Sequence, residues 1–447
     1  MIESVLVANR GEIARRIIRA SRALGIRAIA VYSEADADWP HAREADEALL
    51  IGPAPARESY LSVERVLDAA RRTGARAIHP GYGFLSENWG FAKACEEAGI
   101  VFVGPSWRVI QQMGDKVGAR RQMLWAGVPV VPGSEGPVAS LDEARQIAGE
   151  IGYPVMLKAA AGGGGIGMVK VADETTLAQA HATAERRAQA AFGSAALFVE
   201  RYLTEPRHIE VQVFGDASGP VVHLHERECS IQRRHQKLVE ESPAPRLSPP
   251  LKERLTAAAV KGARSVGYVN AGTMEFIVQG EEFYFLEMNT RLQVEHPVTE
   301  EVTGVDLVQA QLKVASGERL PWRQEDIVQR GAAIECRIYA EDPAKNFMPS
   351  PGTITRLVLP EGPGIRIESG VAEGCRVSVH YDPLLAKLVT AGATREAAIA
   401  RMEAALTAFV VEGPKTAIPF HLRVMRSAAF HEGRTHTQMV EQGAFNG

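Results

Sequence analysis

From Ser4 onward the chain alternates short apolar runs with stretches of helical period: SVLVA, GEIARRIIRASRALG and IRAIAVY, then ARAIHP, FAKACEEAG and IVFVG. A chain patterned this way builds a parallel sheet covered by helices, because parallel neighbours need a long crossover and the helix supplies it. A Rossmann-like α/β domain is therefore expected over residues 1–113. Its first turn reads Asn9-Arg10-Gly11-Glu12 and lacks the GxGxxG spacing that seats a dinucleotide, so the fold carries no NAD reading.

The pattern changes near Gly114, where MGDKVGARRQMLWAGVPVVPG reads as a helix closed by Gly127 and Pro129. From Tyr153, YPVMLK, AAAGGGG and IGMVKV read as strand, glycine loop and strand, followed by the helical DETTLAQAHATAERRAQAAF and by LFVERYL. This is the outline of a small α+β module set inside a larger one. RHIEVQVFGD, VVHLHE, AGTMEFIV and EEFYFLEMN add strands, and from Gly331 short strands mix with helices such as TREAAIARMEAALTAF. At 447 residues the chain exceeds one ordinary core, and the expected division is 1–113, 114–330 and 331–447, an α/β and α+β multidomain fold.

Hydrophobic residues at 46% and charged residues at 23% describe a chain that folds throughout. The formal net charge of -4 gives no global field to attract nucleic acid or anionic lipid, so any anionic ligand must be captured locally. Cys95, Cys229, Cys336 and Cys375 are far apart and form no zinc spacing, which suits a reducing compartment. The opening MIESVLVANRGEIARRIIRA alternates like a strand and carries Glu3 and Glu12, unlike a targeting peptide, and no apolar run approaches the roughly 20 residues needed to span a bilayer. A cytoplasmic location is expected.

Gly162 to Gly165, with Gly167 beyond, lie between two β-like runs. Glycine permits positive φ and close approach, so successive amides can turn toward phosphate oxygens. No GK[ST] follows and no helix starts there, which excludes a Walker A loop; a plain hairpin turn is the alternative. Lys158 ends the preceding apolar strand, a natural point charge for phosphate, and Lys116 at a helix start is a second candidate.

In FYFLEMNTRLQVEH the odd positions Glu287, Asn289, Arg291, Gln293 and Glu295 share one side of an extended chain, while Leu286, Met288, Leu292 and Val294 share the other. A hairpin turning at Gln279-Gly280 and centred near Glu281 sets Glu275 opposite Glu287. Facing carboxylates repel unless a cation lies between them, and two carboxylates with an amide suit Mg²⁺ or Mn²⁺ carrying nucleotide phosphates. Arg291 beside them implies a second, anionic ligand. An ordinary exposed polar sheet face is the alternative.

ANRGEIA, HPGYGFLSEN, YPVMLKAAAGGGGIGM, RHIEVQV, ERECSIQRRHQKLVEESPAP and FLEMNTRLQVEHPVTE, in this order along the chain, strongly resemble the biotin carboxylase family of the ATP-grasp superfamily. The resemblance implies an ATP-grasp central domain with a mobile lid over 131–203 and a mixed α/β C-terminal domain. It implies ATP binding by Lys116, Lys158, Gly164, Gly165, His208, Gln232 and His235, with Glu200, Arg201, Tyr202 and Leu203 lining the adenine pocket. Glu275, Glu287 and Asn289 would hold Mg²⁺ or Mn²⁺; bicarbonate would meet Lys237, Arg291, Gln293 and the Val294 backbone; Glu295 would be its base and Arg337 would stabilise the biotin enolate. The reaction so implied is the carboxylation of biotin on a separate carrier protein, through carboxyphosphate, with a carboxyltransferase on another chain and a homodimeric assembly. Acetyl-CoA carboxylase and fatty acid synthesis are one setting for such a protein.

The chain departs from the family's SGGGGGRGM at Ala161 and Ile166, which bears on lid closure, and carries Arg201 where lysine is usual. It has no Met-Lys-Met attachment site, so biotin is expected on another polypeptide. His208 could equally be a polar surface histidine, and Arg233 to Lys237 a solvated basic turn. Cys229 reads as a structural thiol and His79 as a loop-packing residue. Two other activities fit the same residues: an ATP-grasp carboxylate–amine ligase, and a nucleotide-binding protein without chemistry of its own.

Overall fold

The computed structural model describes residues 2–160 and 168–446. Gly164 and Gly165, with Ala161 and Ile166, lie outside the described residues.

The N-terminal strands β1 (Ser4–Val7), β2 (Arg27–Ser33), β3 (Glu47–Gly52), β4 (Ala77–His79) and β5 (Val101–Phe102) form one sheet in the order β3-β2-β1-β4-β5. Every pairing in it is parallel. Strand residues bury alternately to two sides, as a doubly covered sheet requires. Val5, Val7, Ala28 and Ala30 pack with Ile13 and Ile17 of the helix Gly11–Ala23, while Leu6, Ile29, Val31 and Ile78 pack with Val66 and Ala70 of the helix Val63–Thr73. This is the Rossmann-like architecture that the alternating pattern predicts.

The inserted module is a three-stranded antiparallel sheet, β7 (Met168–Val171), β6 (Val155–Ala159) and β8 (Leu197–Arg201), in that order. The helix Leu141–Ile151 is capped by Ser140, and the helix Glu174–Phe192 begins on the Asp173 carboxylate and ends at Gly193, whose φ of 70° suits glycine. Ala144, Ala148, Val155, Leu157, Leu177, Ala184 and Val199 give this module its own core.

The remainder is organised by an eight-stranded antiparallel sheet. Its order is β13 (Glu282–Asn289), β12 (Asn270–Gln279), β9 (Arg207–Gly215), β10 (Val221–Arg233), β11 (Gln236–Ser242), β14 (Ala332–Tyr339), then the strands Leu384–Gly392 and Ile365–Ser369. The sheet is continuous from the central part of the chain into its last third, because β14 pairs with β11 from Val239↔Cys336 to Ser242↔Ala333. On β9 the period of two is strict: Ile209, Val211 and Val213 join the core under the helix Pro249–Ser265, and His208, Glu210 and Gln212 are buried on the opposite side. A sheet buried on both sides with charges on one of them sets the frame for a site.

Among the described residues no helix is long and apolar enough to cross a membrane.

Candidate active site

Lys237 on β11 stands at the centre of the polar face. Its ammonium donates to Glu210 Oε2 at 2.5 Å, Glu275 Oε1 at 2.8 Å and Glu295 Oε1 at 2.6 Å. Those acids come from β9, from β12 and from the residue that precedes the helix His296–Thr303. Burial would release the Lys237 proton, yet the three acids hold its pKa well above the usual lysine range. In the same way burial would raise Glu295 and Glu275, but Lys237 with Arg337 holds Glu295 well below its usual range, and Lys237 with His208 does so for Glu275. Lys237, Glu275 and Glu295 are thus held in their charged forms by one another.

Cations and anions are matched around that centre. Arg227, fully buried on β10, gives Nε to Glu210, Nη1 to Gln212 at 2.8 Å and Thr299 at 2.9 Å, and Nη2 to Thr273 at 3.1 Å. Arg337 on β14 gives Nε to Glu240 at 2.6 Å and Nη2 to Glu295 at 2.9 Å. His208 Nε2 lies 3.2 Å from Glu275 Oε2, and Glu275 raises its pKa against the burial that would lower it. Arginine is suited to such places because its fork of donors satisfies several acceptors at once.

The stretch after β13 departs from the sequence expectation. One extended face from Glu287 to Glu295 is predicted, but the strand ends at Asn289 and the next residues turn, bringing Glu295 to the start of the helix His296–Thr303. The turn still collects the polar side chains. Asn289 Nδ2 and Gln293 Nε2 donate to Glu275 Oε1 at 2.9 and 3.0 Å, and Arg291 Nη2 donates to Asn289 Oδ1 at 2.7 Å. Arg291 Nε reaches Glu87 at 2.9 Å, and the Glu87 carboxylate also receives the Thr290 amide. The Val294 carbonyl accepts from Lys387 at 2.8 Å; Lys387 lies 3.1 Å from Glu12, which also takes the Tyr82 hydroxyl. The ANRGEIA and HPGYGF segments thus brace the turn from the N-terminal sheet.

Leu286, placed on the apolar side by alternation, is 47% exposed. It is the extra residue of a bulge between Phe276↔Phe285 and Glu275↔Glu287. Glu287 therefore faces Glu275, at the open rim of the cluster. Desolvation, then Glu275 and Glu87, raise the Glu287 carboxyl above its usual range. That unbalanced negative charge, with two carboxylates and the Asn289 amide as hard oxygen donors, fits a divalent cation of the Mg²⁺ type.

The remaining candidates stand further out. Lys158 on β6 is ion-paired with Glu200 on β8, with Arg120 3.8 Å from the same carboxylate. Arg201 donates to the Tyr284 hydroxyl at 3.2 Å, the Tyr202 amide donates to Pro154 O at 3.0 Å, and Leu203 is half-buried. Gln232 pairs with Lys237 across β10 and β11, while Lys116 and His235 are exposed. His235 lies in a turn with Arg234, so that part of the basic run is a hairpin turn; Lys237 is buried at 8% exposure. Cys229 is buried with its thiol pushed well up by burial, and His79 is buried against Gln311 with its pKa lowered by burial to about 3. Neither offers a nucleophile or base.

Residues 1–110 match the biotin carboxylase N-terminal domain, 115–323 the ATP-binding domain of the carbamoyl-phosphate synthase L chain, and 335–442 the biotin carboxylase C-terminal domain. A biotin carboxylase of Halalkalibacterium halodurans is 54% identical over 441 residues, which cover 98% of this chain and 97% of that one. The chain belongs to the biotin carboxylase family. The 2-oxoglutarate carboxylase small subunit of Hydrogenobacter thermophilus is also similar, 50% identical over 443 residues, 99% of this chain and 94% of that one. The biotin carboxylase domain dimer of the 2-oxoglutarate carboxylase from the same organism, solved with MgADP, ADP and bicarbonate, superposes with a TM-score of 0.91 at 49% identity, covering 100% of this chain and 99% of that one.

Within this biotin carboxylase fold, Glu210, Arg227, Glu240 and Glu87 belong to the network although the sequence reading gives them no role. Glu210 carried a signal, a charge within the apolar alternation of RHIEVQV, whereas Arg227 lies among His225, Glu226 and Glu228 and does not stand out. Glu240 and Glu87 carried none, since each is defined by a partner distant in sequence.

Proposed function

We propose that the chain uses ATP and bicarbonate to carboxylate biotin held on a carrier protein, the first half-reaction of a biotin-dependent carboxylase. The observation that carries the reading is the Lys237 centre, where a buried cation and the ionised Glu295 converge beside Arg291 and Arg337.

Bicarbonate seats against Lys237, Arg291, Gln293 and the Val294 backbone. An anion there takes up part of the cationic field that holds Glu295 down, so the proton affinity of Glu295 rises as substrate arrives. Glu295 removes the bicarbonate proton while the bicarbonate oxygen attacks the γ-phosphorus and ADP leaves, giving carboxyphosphate. His208, Gln232, His235, Lys116, Lys158 and the glycines Gly164 and Gly165 hold the nucleotide, with Glu200 to Leu203 along its adenine. Glu275, Glu287 and Asn289 hold Mg²⁺ or Mn²⁺, which when bound neutralises phosphate charge. Catalysis of this kind is positioning and electrostatics. Carboxyphosphate releases CO₂ and phosphate, phosphate takes the ureido proton, Arg337 stabilises the enolate, and the ureido nitrogen adds to CO₂.

The same reading divides the chain into 1–113, 114–330 and 331–447, with 131–203 a lid that closes over the labile intermediate. A separate core in that module supports independent movement. A homodimer in the cytoplasm, served by a carrier and a carboxyltransferase on other chains, completes it. The final acceptor, acetyl-CoA or another, is set by that carboxyltransferase.

ATP turnover in Mg²⁺ with and without bicarbonate and free biotin tests this. Hydrolysis that requires bicarbonate and is stimulated by biotin supports it; hydrolysis indifferent to both overturns it. Transfer to an amine in place of biotin would point to the ligase alternative.

A further inference from the structure

Glu240 on β11 and Glu335 on β14 stand directly opposite each other in the sheet, and both are fully buried. Opposed residues on one face place their Cβ atoms about 4.5–5.5 Å apart. Glu240 Oε1 receives Arg337 Nε at 2.6 Å. Glu240 Oε2 and both oxygens of Glu335 have no hydrogen-bond partner among the described residues. Two facing carboxylates with three unanswered oxygens cannot both stay ionised away from water.

The surrounding charges are engaged elsewhere. Arg337 directs its other nitrogens to Glu295 at 2.9 Å and to the Tyr339 hydroxyl at 3.4 Å. Lys387, on the strand beyond β14, directs its ammonium to the Val294 carbonyl and Glu12. From the helix His296–Thr303, which packs on β14, His296 is held neutral by burial and by Lys387, Arg16 and Arg366, and Glu295 spends its charge on Lys237 and Arg337. His421 meets the Arg337 carbonyl at 2.7 Å and is kept neutral by burial.

We propose that Glu240 and Glu335 hold one proton between them, so that neutral Glu335 donates to Glu240 Oε2 and the single charge left on Glu240 aims the Arg337 guanidinium. Glu335 is then a positioning residue, and its importance rests on the reading of Arg337 as the group that meets biotin. With both acids ionised, Arg337 would be drawn between them and away from the cleft. With both neutral it would keep only Glu295. The titration of each acid agrees: burial pushes Glu240 up to about 7 despite Arg337, and burial with Glu240 opposite pushes Glu335 well above its ordinary range despite Lys387.

Infrared spectroscopy of the full chain at pH 8 tests the proton. A neutral carboxylic acid carbonyl band that shifts in D₂O and is lost in Glu335→Gln is expected; no such band, or one unchanged by the substitution, overturns the proposal. Kinetics test the consequence. Glu335→Leu should lower kcat for biotin carboxylation on the order of 10- to 100-fold, as small misplacements do, while the KM for ATP and the hydrolysis of ATP with bicarbonate alone hold, and Glu335→Gln should restore most of the loss. Equal losses in both reactions, or no difference between Leu and Gln, overturn the positioning role. Should Glu335→Leu fail to fold, wild type and Glu335→Gln are compared over pH: the wild type should lose biotin carboxylation at alkaline pH before the variant does, and superimposable profiles overturn the idea. If Arg337→Ala carboxylates biotin normally, the reading of Arg337 fails while the infrared band still stands.

Discussion

Glu275 and Glu287 face each other across the β12–β13 hairpin because Leu286 is bulged out of the ladder. The two-residue loop Gly280-Glu281 pairs Gln279 with Glu282, and a regular ladder from there would set Glu275 against Leu286. The bulge shifts the register by one and puts acid against acid. Such a pair costs stability by repulsion, so its natural complement is a divalent cation.

Replacing one acid should therefore be read out in metal. Glu287→Gln keeps the shape and removes the charge, and the Mg²⁺ concentration for half-maximal ATP turnover should rise on the order of tenfold or more. An unchanged metal titration would remove Glu287 from the metal site.

Glu295 is ionised through the neutral range, since Lys237 and Arg337 hold it below its usual values. Glu295→Ala should reduce bicarbonate-dependent ATP hydrolysis by roughly 10²–10⁴-fold, the range for loss of a positioned base. Turnover near wild type would dismiss the base assignment.

Arg227 is buried with all of its acceptors in place, and Glu210 depends on it. Arg227→Met leaves Glu210 paired with Lys237 but strips the buried Gln212, Thr273 and Thr299 oxygens of their donor, and leaving such groups unsatisfied costs about 1–3 kcal/mol. Chemical denaturation should show that loss; a variant within 1 kcal/mol (roughly the bound for surface changes) would mean the network relaxes around the gap.

Glu368 gives a pH-dependent test outside the site. Burial would raise its carboxyl, but Arg366 and Arg19 lower it to about 2 from 4.5. A depressed acid stabilises the fold above its unfolded pKa and loses that contribution as pH falls toward the folded value, which here amounts to about 3 kcal/mol at neutral pH. Glu368→Gln should thus be less stable than wild type at pH 7, with the gap closing between about pH 4.5 and 2. A gap independent of pH would show that packing, not charge, is lost.

The parallel sheet was legible because both of its faces are buried and its strands are separated by helices of clear period. The opposition of Glu275 and Glu287 was also legible, though from a hairpin centred at Glu281, half a residue past the true centre between Gly280 and Glu281; the bulge at Leu286 makes up the difference, and alternation cannot reveal a bulge. The run from Arg291 to Glu295 reads as strand because polar and apolar residues alternate, yet a tight turn into a helix produces the same order. Glu240, Glu335 and Lys387 were invisible for a different reason. Their meaning lies in register between β11, β14 and the strand Leu384–Gly392, which local pattern does not encode.

The role proposed for the Lys237 cluster is to pass carboxyl from bicarbonate to biotin at the expense of ATP. The direct measurement is incorporation of radiolabelled bicarbonate into free biotin by the purified chain with MgATP, wild type beside Arg337→Ala. ATP-dependent label on biotin, much reduced in the variant while nucleotide binding persists, is the predicted result. No label on biotin, or equal labelling by both proteins, would contradict it.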